Sequence, residues 1–169
     1  KDFIFHEKLG SSLTADIFRG ESLQQPGQDL RLKVIKPRFT AQDTTSHLQQ
    51  QLSYLKELNI AQVTVPTLHA EGDVVLLAQA LSQAQALDTY LQPHRALNIT
   101  ATLELGIALA GSLAERHKKN WIHKGIKPGN IFITSDFSRI ELIDDVRILE
   151  SNTLGQLINN ADYCQQSLT

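Results

Sequence analysis

The hydrophobic period of the chain changes once along its length, and this change limits the fold more than any other feature. Before residue 83, alternating and β-branched runs predict the strands of an antiparallel sheet at residues 3–9, 14–22, 30–36 and 73–79. After it, the longest pattern has the period of a helix. The sequence therefore predicts an α+β fold with a β-rich part at residues 1–82 and a mainly helical part at residues 83–169.

A single amphipathic helix interrupts the β-rich part. Residues 40–58 carry leucines at spacings of four, three and three, which makes one apolar stripe. These leucines are Leu48, Leu52, Leu55 and Leu58. A turn-forming segment, QQPGQD at 24–29, separates the second and third predicted strands.

The second part is predicted to contain two helices and a hairpin. Residues 86–92 suit a short helix and residues 99–120 a long one. One face of the long helix carries Leu103, Ile107, Ala110, Ala114 and His117. Two short strands at 130–134 and 139–144 follow in hairpin fashion.

Composition excludes several classes of protein. The 169 residues are 41% hydrophobic, enough for one or two compact units with a core. The net charge is −2 without a long run of one sign, so we expect neither a nucleic-acid surface nor a membrane surface. Cys164 has no partner for an internal disulfide, and neither a membrane span nor a signal peptide is evident. We therefore expect a cytoplasmic protein and, since methionine is absent, a fragment of a longer one.

The segment IHKGIKPGNIFI, residues 122–133, is the most specific pattern in the sequence. It follows the long predicted helix and precedes the predicted hairpin. A β-rich part with one helix, a long helix, this segment and then an aspartate after a strand occur in the same order in eukaryotic-like protein kinases. The chain resembles that family over essentially its whole length, and especially the kinase-like domain at the front of large bacterial multidomain regulators.

The resemblance implies a two-lobed protein-kinase-like fold, with an antiparallel sheet and one helix in the N-lobe and a truncated, helical C-lobe. It implies ATP and Mg²⁺ as cofactors, bound weakly if at all. Residues 122–133 would be the catalytic loop, in which His123 is a strut, Lys127 neutralises the γ-phosphate and Asn130 binds magnesium. Gly125 takes the position of the aspartate that accepts the proton of the substrate hydroxyl.

Asp144 resembles the second magnesium ligand, at the end of the strand that follows the loop. A carboxylate paired with an amide suits a hard cation that prefers oxygen ligands. Asp145 and Val146 stand where the family has Phe and Gly. The closing segment, residues 161–169, lacks the Pro and Glu of the family's anchor.

The nucleotide side of the resemblance lies at residues 9–20, which are similar to the family's glycine-rich loop. Gly10 takes the first glycine position and Ser12 the second, so Gly10, Ser11 and Ser12 are the candidate phosphate-covering residues. Ala15 takes the position of the third glycine.

Lys33 resembles the strand lysine that contacts the α- and β-phosphates, with Lys36 as the competing choice. Gln51 stands where a helix glutamate would hold that lysine. An amide can accept a hydrogen bond from the ammonium but supplies no opposite charge.

Three functions remain open from the sequence. The first is a pseudokinase that binds ATP weakly or not at all and acts as a regulatory or scaffolding module. The second is a Ser/Thr protein kinase of low activity that transfers the γ-phosphate to protein hydroxyls. The third is a protein interaction domain without a nucleotide site. The expected partners are another protein or other domains of the same longer chain.

Overall fold

The structure, a computed structural model, describes residues 2–40, 42–60, 63–81, 84–91, 97–134, 139–143 and 146. Its strands are β1 (Phe3–Ser11), β2 (Ala15–Ser22), β3 (Gln25–Ile35), β4 (Thr67–Glu71), β5 (Val74–Ala80), β6 (Gln85–Ala86), β7 (Ile131–Ile133) and β8 (Ile140–Leu142). Its helices are α1 (Gln42–Leu58), α2 (Leu87–Tyr90) and α3 (Ile99–Lys118), with short 3-10 turns at Pro37–Phe39 and Pro128–Asn130. The predicted α+β class is confirmed.

The first five strands form one antiparallel sheet in the order β1-β2-β3-β5-β4. The four strands predicted for this part are present, and β4 is a strand that the pattern did not predict. The turn predicted at 24–29 is wrong in position, because Ser22 pairs with Gln25 and the chain reverses at Leu23 and Gln24. Gly27 then adopts a φ of 85° inside β3, which glycine tolerates without a steric penalty.

Helix α1 packs its leucine stripe against one face of this sheet. Leu48, Leu52 and Leu55 are buried and Leu58 is partly buried there. The strands contribute Ile35, Val75 and Leu77 to the same core. Each fully buried leucine stabilises the fold by roughly 1.5–3 kcal/mol relative to an exposed one. The predicted stripe is therefore confirmed as the contact between helix and sheet.

The second part packs α3 against a small antiparallel sheet in the order β6-β7-β8. The core consists of Leu87, Ile131, Ile133, Ile140 and Leu142, and α3 packs Leu105, Leu109 and Leu113 against it. The face of α3 that carries Leu103 and Ile107 is the outer one, with these side chains 61% and 74% exposed. Since α3 has apolar residues on both sides, periodicity alone did not determine which side would be buried.

Contacts join the two parts of the chain. The Trp121 and Tyr54 rings lie 5.9 Å apart between centroids, and Trp121 and Val146 pack against the core beneath α1. Thr64 Oγ1 donates a hydrogen bond of 3.3 Å to Glu141 Oε1. The loop that follows α3 is therefore held against the first sheet. Among the helices described, none is long and apolar enough to cross a membrane.

Candidate functional site

The loop at residues 122–130 begins where α3 ends in a fixed geometry. Asn120 adopts a φ of 56°, a left-handed conformation that asparagine often adopts after a helix. The Trp121 N–H donates a hydrogen bond of 2.9 Å to the Arg116 carbonyl. These two features end the helix and direct the chain into the loop.

His123 orders the first half of the loop through both of its ring nitrogens. Its side chain is buried, and Nε2 lies 2.7 Å from the Ile143 carbonyl oxygen. Because that oxygen can only accept, Nε2 carries the proton and Nδ1 accepts the Gly125 N–H at 3.1 Å. Between them, Lys124 is held at a φ of 54°, a conformation that costs a non-glycine residue roughly 1–2 kcal/mol.

Asn130 orders the second half of the loop. Its buried side chain donates from Nδ2 to the Gly125 carbonyl at 2.8 Å, and its own carbonyl accepts the Ile143 N–H at 3.0 Å. The side-chain amide nitrogen of Asn130 thus donates inside the loop, and Oδ1 is the acceptor of this side chain. The backbone on both sides of Gly125 is thus fixed, while Gly125 itself offers no group that could accept a proton.

Lys127 and Asp144 complete the predicted ligand set for phosphate and metal. The Lys127 side chain is exposed, and its carbonyl accepts the Asn130 N–H at 2.9 Å across the short 3-10 turn. Asp144 lies outside the described residues, as does Asp145. Within the described part of the chain, no group of three or more His, Cys, Asp or Glu side chains is arranged for a metal ion.

Arg116 joins the end of α3 to β8, and sequence reasoning did not single it out. The side chain is fully buried in the last turn of α3 and donates to the carbonyl and Oγ of Ser112 at 3.1 and 2.7 Å. Its second guanidinium nitrogen donates to the Leu142 carbonyl of β8 at 3.0 Å. The available signal was its spacing, because Arg116 continues the buried series of Leu109 and Leu113 along the helix.

Lys33 points from β3 toward the α1 side of the sheet and is 7% exposed. Arg31, two residues earlier on the same face, is equally buried. The two cations line a small cavity with Val146. The other lining residues are Thr64, Pro66, Leu77 and Gln79. Lys33 and Val146 thus line the same cavity, while Gln51 lies half-buried on α1.

The predicted phosphate-covering residues form the tip of the β1–β2 hairpin. The Ser12 N–H donates to the Ala15 carbonyl at 2.8 Å, so this amide is used inside the turn. Lys36 Nζ donates to the Ser12 carbonyl at 2.6 Å and to Ser11 Oγ at 3.2 Å. Lys36 therefore ties the tip to the end of β3, and Lys33 is the lysine that faces the interior. A Cβ added at Gly10 would meet no atom within 4 Å.

Asp16 is the acidic side chain next to this tip. Ser11 Oγ donates to its carboxylate at 2.6 Å and Lys8 Nζ lies 2.9 Å away. The hydrogen bond from Ser11, followed by that from Lys8, holds the pKa of Asp16 below its ordinary value.

A sequence profile described as protein tyrosine and serine/threonine kinase matches residues 3–162. Serine/threonine-protein kinase PknK of Mycobacterium tuberculosis is 37% identical over 59 residues, which are 35% of this chain and 5% of that protein. The protein K06H7.1 of Caenorhabditis elegans is 26% identical over 128 residues, 74% of this chain and 36% of its own length. The chain thus matches only a minor share of each of these relatives.

Solved structures with the same fold come from Mycobacterium tuberculosis. A doubly substituted PknI kinase domain superposes with a TM-score of 0.66 at 19% identity, covering 89% of this chain and 63% of that one. A singly substituted form gives a TM-score of 0.63 at 20% identity, covering 85% and 58%. The predicted two-lobed architecture with a truncated second lobe is therefore confirmed.

Proposed function

Because the chain belongs to the protein tyrosine and serine/threonine kinase family, we propose that it is a pseudokinase, a kinase-fold module that does not transfer phosphate at a useful rate. In this proposal it acts in the cytoplasm as a regulatory or scaffolding domain. Its partners are another protein or other domains of a longer chain. The single observation that carries the proposal is Gly125 at the position of the general base. The backbone of the loop around it is held by hydrogen bonds of His123 and Asn130.

The missing base acts directly on the chemistry. A serine or threonine hydroxyl has to lose its proton during phosphoryl transfer, and a positioned base contributes a factor of about 10²–10⁴ to the rate. The hydrogen bonds at His123 and Asn130 hold the backbone around Gly125 in place, so the loop cannot bring another of its own side chains to that point without breaking them. What is missing is therefore the side chain at position 125, and not the hydrogen-bonded backbone of the loop.

The residues around the loop fit ATP and magnesium only in part. Asn130 Oδ1 is an oxygen of the kind that Mg²⁺ prefers, and Lys33 and Lys127 supply positive charge for phosphate groups. Asp144 would be the carboxylate partner of Asn130. The Ser12 N–H at the hairpin tip, however, already donates to the Ala15 carbonyl. The site thus has candidate side-chain ligands for phosphate and magnesium, but the Ser12 amide of the hairpin tip is not free to bind phosphate.

Transfer of γ-labelled phosphate from ATP by the full-length protein tests the proposal. We expect no incorporation above the level of a Lys33→Ala variant, into either the protein itself or a panel of Ser/Thr peptides. Lys56→Ala, at an exposed position of α1, is the matched lysine control. Incorporation that Lys33→Ala removes and Lys56→Ala retains would overturn the proposal.

A Ser/Thr kinase of low activity is the second candidate, and the Asn130–Gly125 hydrogen bond favours it. That bond fixes the backbone at position 125, as an aspartate there would need in order to act as a positioned base. Positive φ occurs at Gly27 and Gly72 among the described glycines, so aspartate at 125 meets no left-handed backbone. If this candidate is correct, Gly125→Asp raises phosphate incorporation by about 10²-fold or more over a measurable starting rate.

A further inference from the structure

The face of β3 that carries Lys33 has a direction that is fixed by the sheet. At one end Ala15 pairs with Ile35, which places the β1–β2 tip there. At the other end Leu30 pairs with Ala80, and the Leu81 N–H donates to the Asp29 carbonyl at 2.9 Å where the chain leaves the sheet. A phosphate group under the tip and next to Lys33 therefore leaves only the Asp29 end of the strand for a base and ribose.

Arg31 occupies that end of the face. It lies two residues from Lys33, about 7 Å along the strand, and its side chain is on the same side of the sheet. It is 7% exposed, so a full-length guanidinium side chain is packed where the base would have to enter. The cavity that Arg31 and Lys33 share has a volume of about 10 Å³, the space of about one water molecule.

The neighbours of Arg31 restrict its movement. On β5 its register partner is Gln79, whose Nε2 donates to the Thr64 carbonyl at 3.1 Å. On β2 its register partner is Arg19, which carries the same charge and is held by Asp29 at 2.6 Å. The guanidinium of Arg31 thus has a fixed polar neighbour on one side and a like charge on the other. Room for a purine would therefore require the Arg31 side chain to leave this position.

We propose that Arg31 excludes purine nucleotides from the cleft by filling the position of the base. This inference deepens the proposed pseudokinase function on which it rests, since it assigns the proposed absence of nucleotide binding to one side chain other than that of position 125. It concerns the base end of the cleft only. The phosphate end, with Lys33, is unaffected by it.

Adenosine is the sharpest probe because it has the base and ribose but no phosphate. We expect no binding of adenosine or Mg·ATP to the unmodified full-length protein in calorimetry or thermal-shift measurements. Arg31→Ala removes the side chain and is expected to bind adenosine measurably, at a concentration at least about tenfold below the highest one at which the unmodified protein shows no binding. Arg31→Met keeps most of the volume without the charge and is expected to behave as the unmodified protein, which separates filling from charge.

Two results would overturn the inference. One is adenosine binding by the unmodified protein with the affinity of Arg31→Ala, and the other is a folded Arg31→Ala that binds adenosine no better. Arg31→Val, a side chain suited to a strand, repeats the test if the alanine variant does not fold. Phosphate transfer is measured separately. If the unmodified protein binds adenosine but transfers no phosphate, only this inference is refuted. If it transfers phosphate and Lys33→Ala abolishes the transfer, the pseudokinase proposal is refuted.

Discussion

Under the proposed function, the loop at residues 122–130 and the face of β3 that carries Lys33 contribute to inactivity in opposite ways. The loop has a hydrogen-bonded frame and no side chain at Gly125, whereas β3 carries the bulky side chain of Arg31 on the same face as Lys33. The bonds of His123 and Asn130 also join the loop to the chain at Ile143, so they contribute to stability whether or not chemistry occurs. The hydrogen bonds of the loop therefore show that this part of the chain is folded. Whether the chain is active depends on the side chains that face the cleft.

The largest expected effect comes from breaking the frame of the loop. His123→Ala removes the donor to the Ile143 carbonyl and the acceptor of the Gly125 N–H, both of which lie in a buried region. We expect the free energy of unfolding to fall by about 3 kcal/mol, as measured by urea denaturation. His117→Ala, at an exposed position in the last turn of α3, is the matched control and should change it by less than about 0.5 kcal/mol. Equal effects of the two variants would contradict the structural role of His123.

A glycine substitution in the sheet should have the next largest effect. A Cβ at Gly20 would lie 2.2 Å from the Ile4 carbonyl oxygen and 2.6 Å from Leu32 Cδ1. Since β1 is an edge strand and can shift, we expect Gly20→Ala to cost about 2 kcal/mol of unfolding free energy rather than to abolish folding.

Gly10→Ala is the control for this substitution, because its Cβ would meet no atom within 4 Å. The two variants are compared by their melting temperatures. A larger loss for Gly10→Ala would mean that the hairpin tip is packed more tightly than the sheet beneath it.

A smaller effect is expected at the hairpin tip. Lys36→Met removes the donor to the Ser12 carbonyl while keeping most of the aliphatic length. Because the contact is partly exposed, we expect no more than about 1 kcal/mol of global stability to be lost. Hydrogen exchange at the Ser12 amide should nevertheless accelerate relative to amides of the α1 core. Unchanged exchange at Ser12 would show that the turn is held without Lys36.

The smallest effect concerns the pH dependence of the same tip. The pKa of Asp16 is lower in the folded chain than its ordinary value, so its stabilising contribution is present above that ordinary value. The contribution is lost as the pH falls through the lowered pKa. An NMR titration of the Asp16 carboxyl group should give a midpoint below that of the same group in a Ser11→Ala variant, which lacks the hydroxyl donor. Coinciding midpoints would exclude the hydrogen bond from Ser11 as a factor.

Local pattern was sufficient for most of the elements and for the leucine stripe of α1, because both depend on residues close in sequence, but it missed β4 and misplaced the turn between β2 and β3. It was also sufficient to place His123 and Asn130 in one loop between helix and hairpin. It failed for the burial of Arg31 and Arg116, which depends on Gln79 and Leu142 respectively, residues distant in the chain. From sequence alone, a lysine or arginine in a strand is predicted to be exposed, because its neighbours across the sheet are not known. The roles of Gly10, Ser11, Ser12, Lys33, Lys127, Asn130 and Asp144 stay predictions.

The hydrogen bond between Arg116 and the Leu142 carbonyl closes a long segment of chain, because it joins the end of α3 to the last strand of the hairpin. Because such a contact needs both elements to be docked, we expect it to form after the transition state for folding. Weakening it should leave the folding rate almost unchanged and accelerate unfolding. We therefore expect the buried guanidinium to slow the unfolding of the second part, while its effect on the folding rate is small.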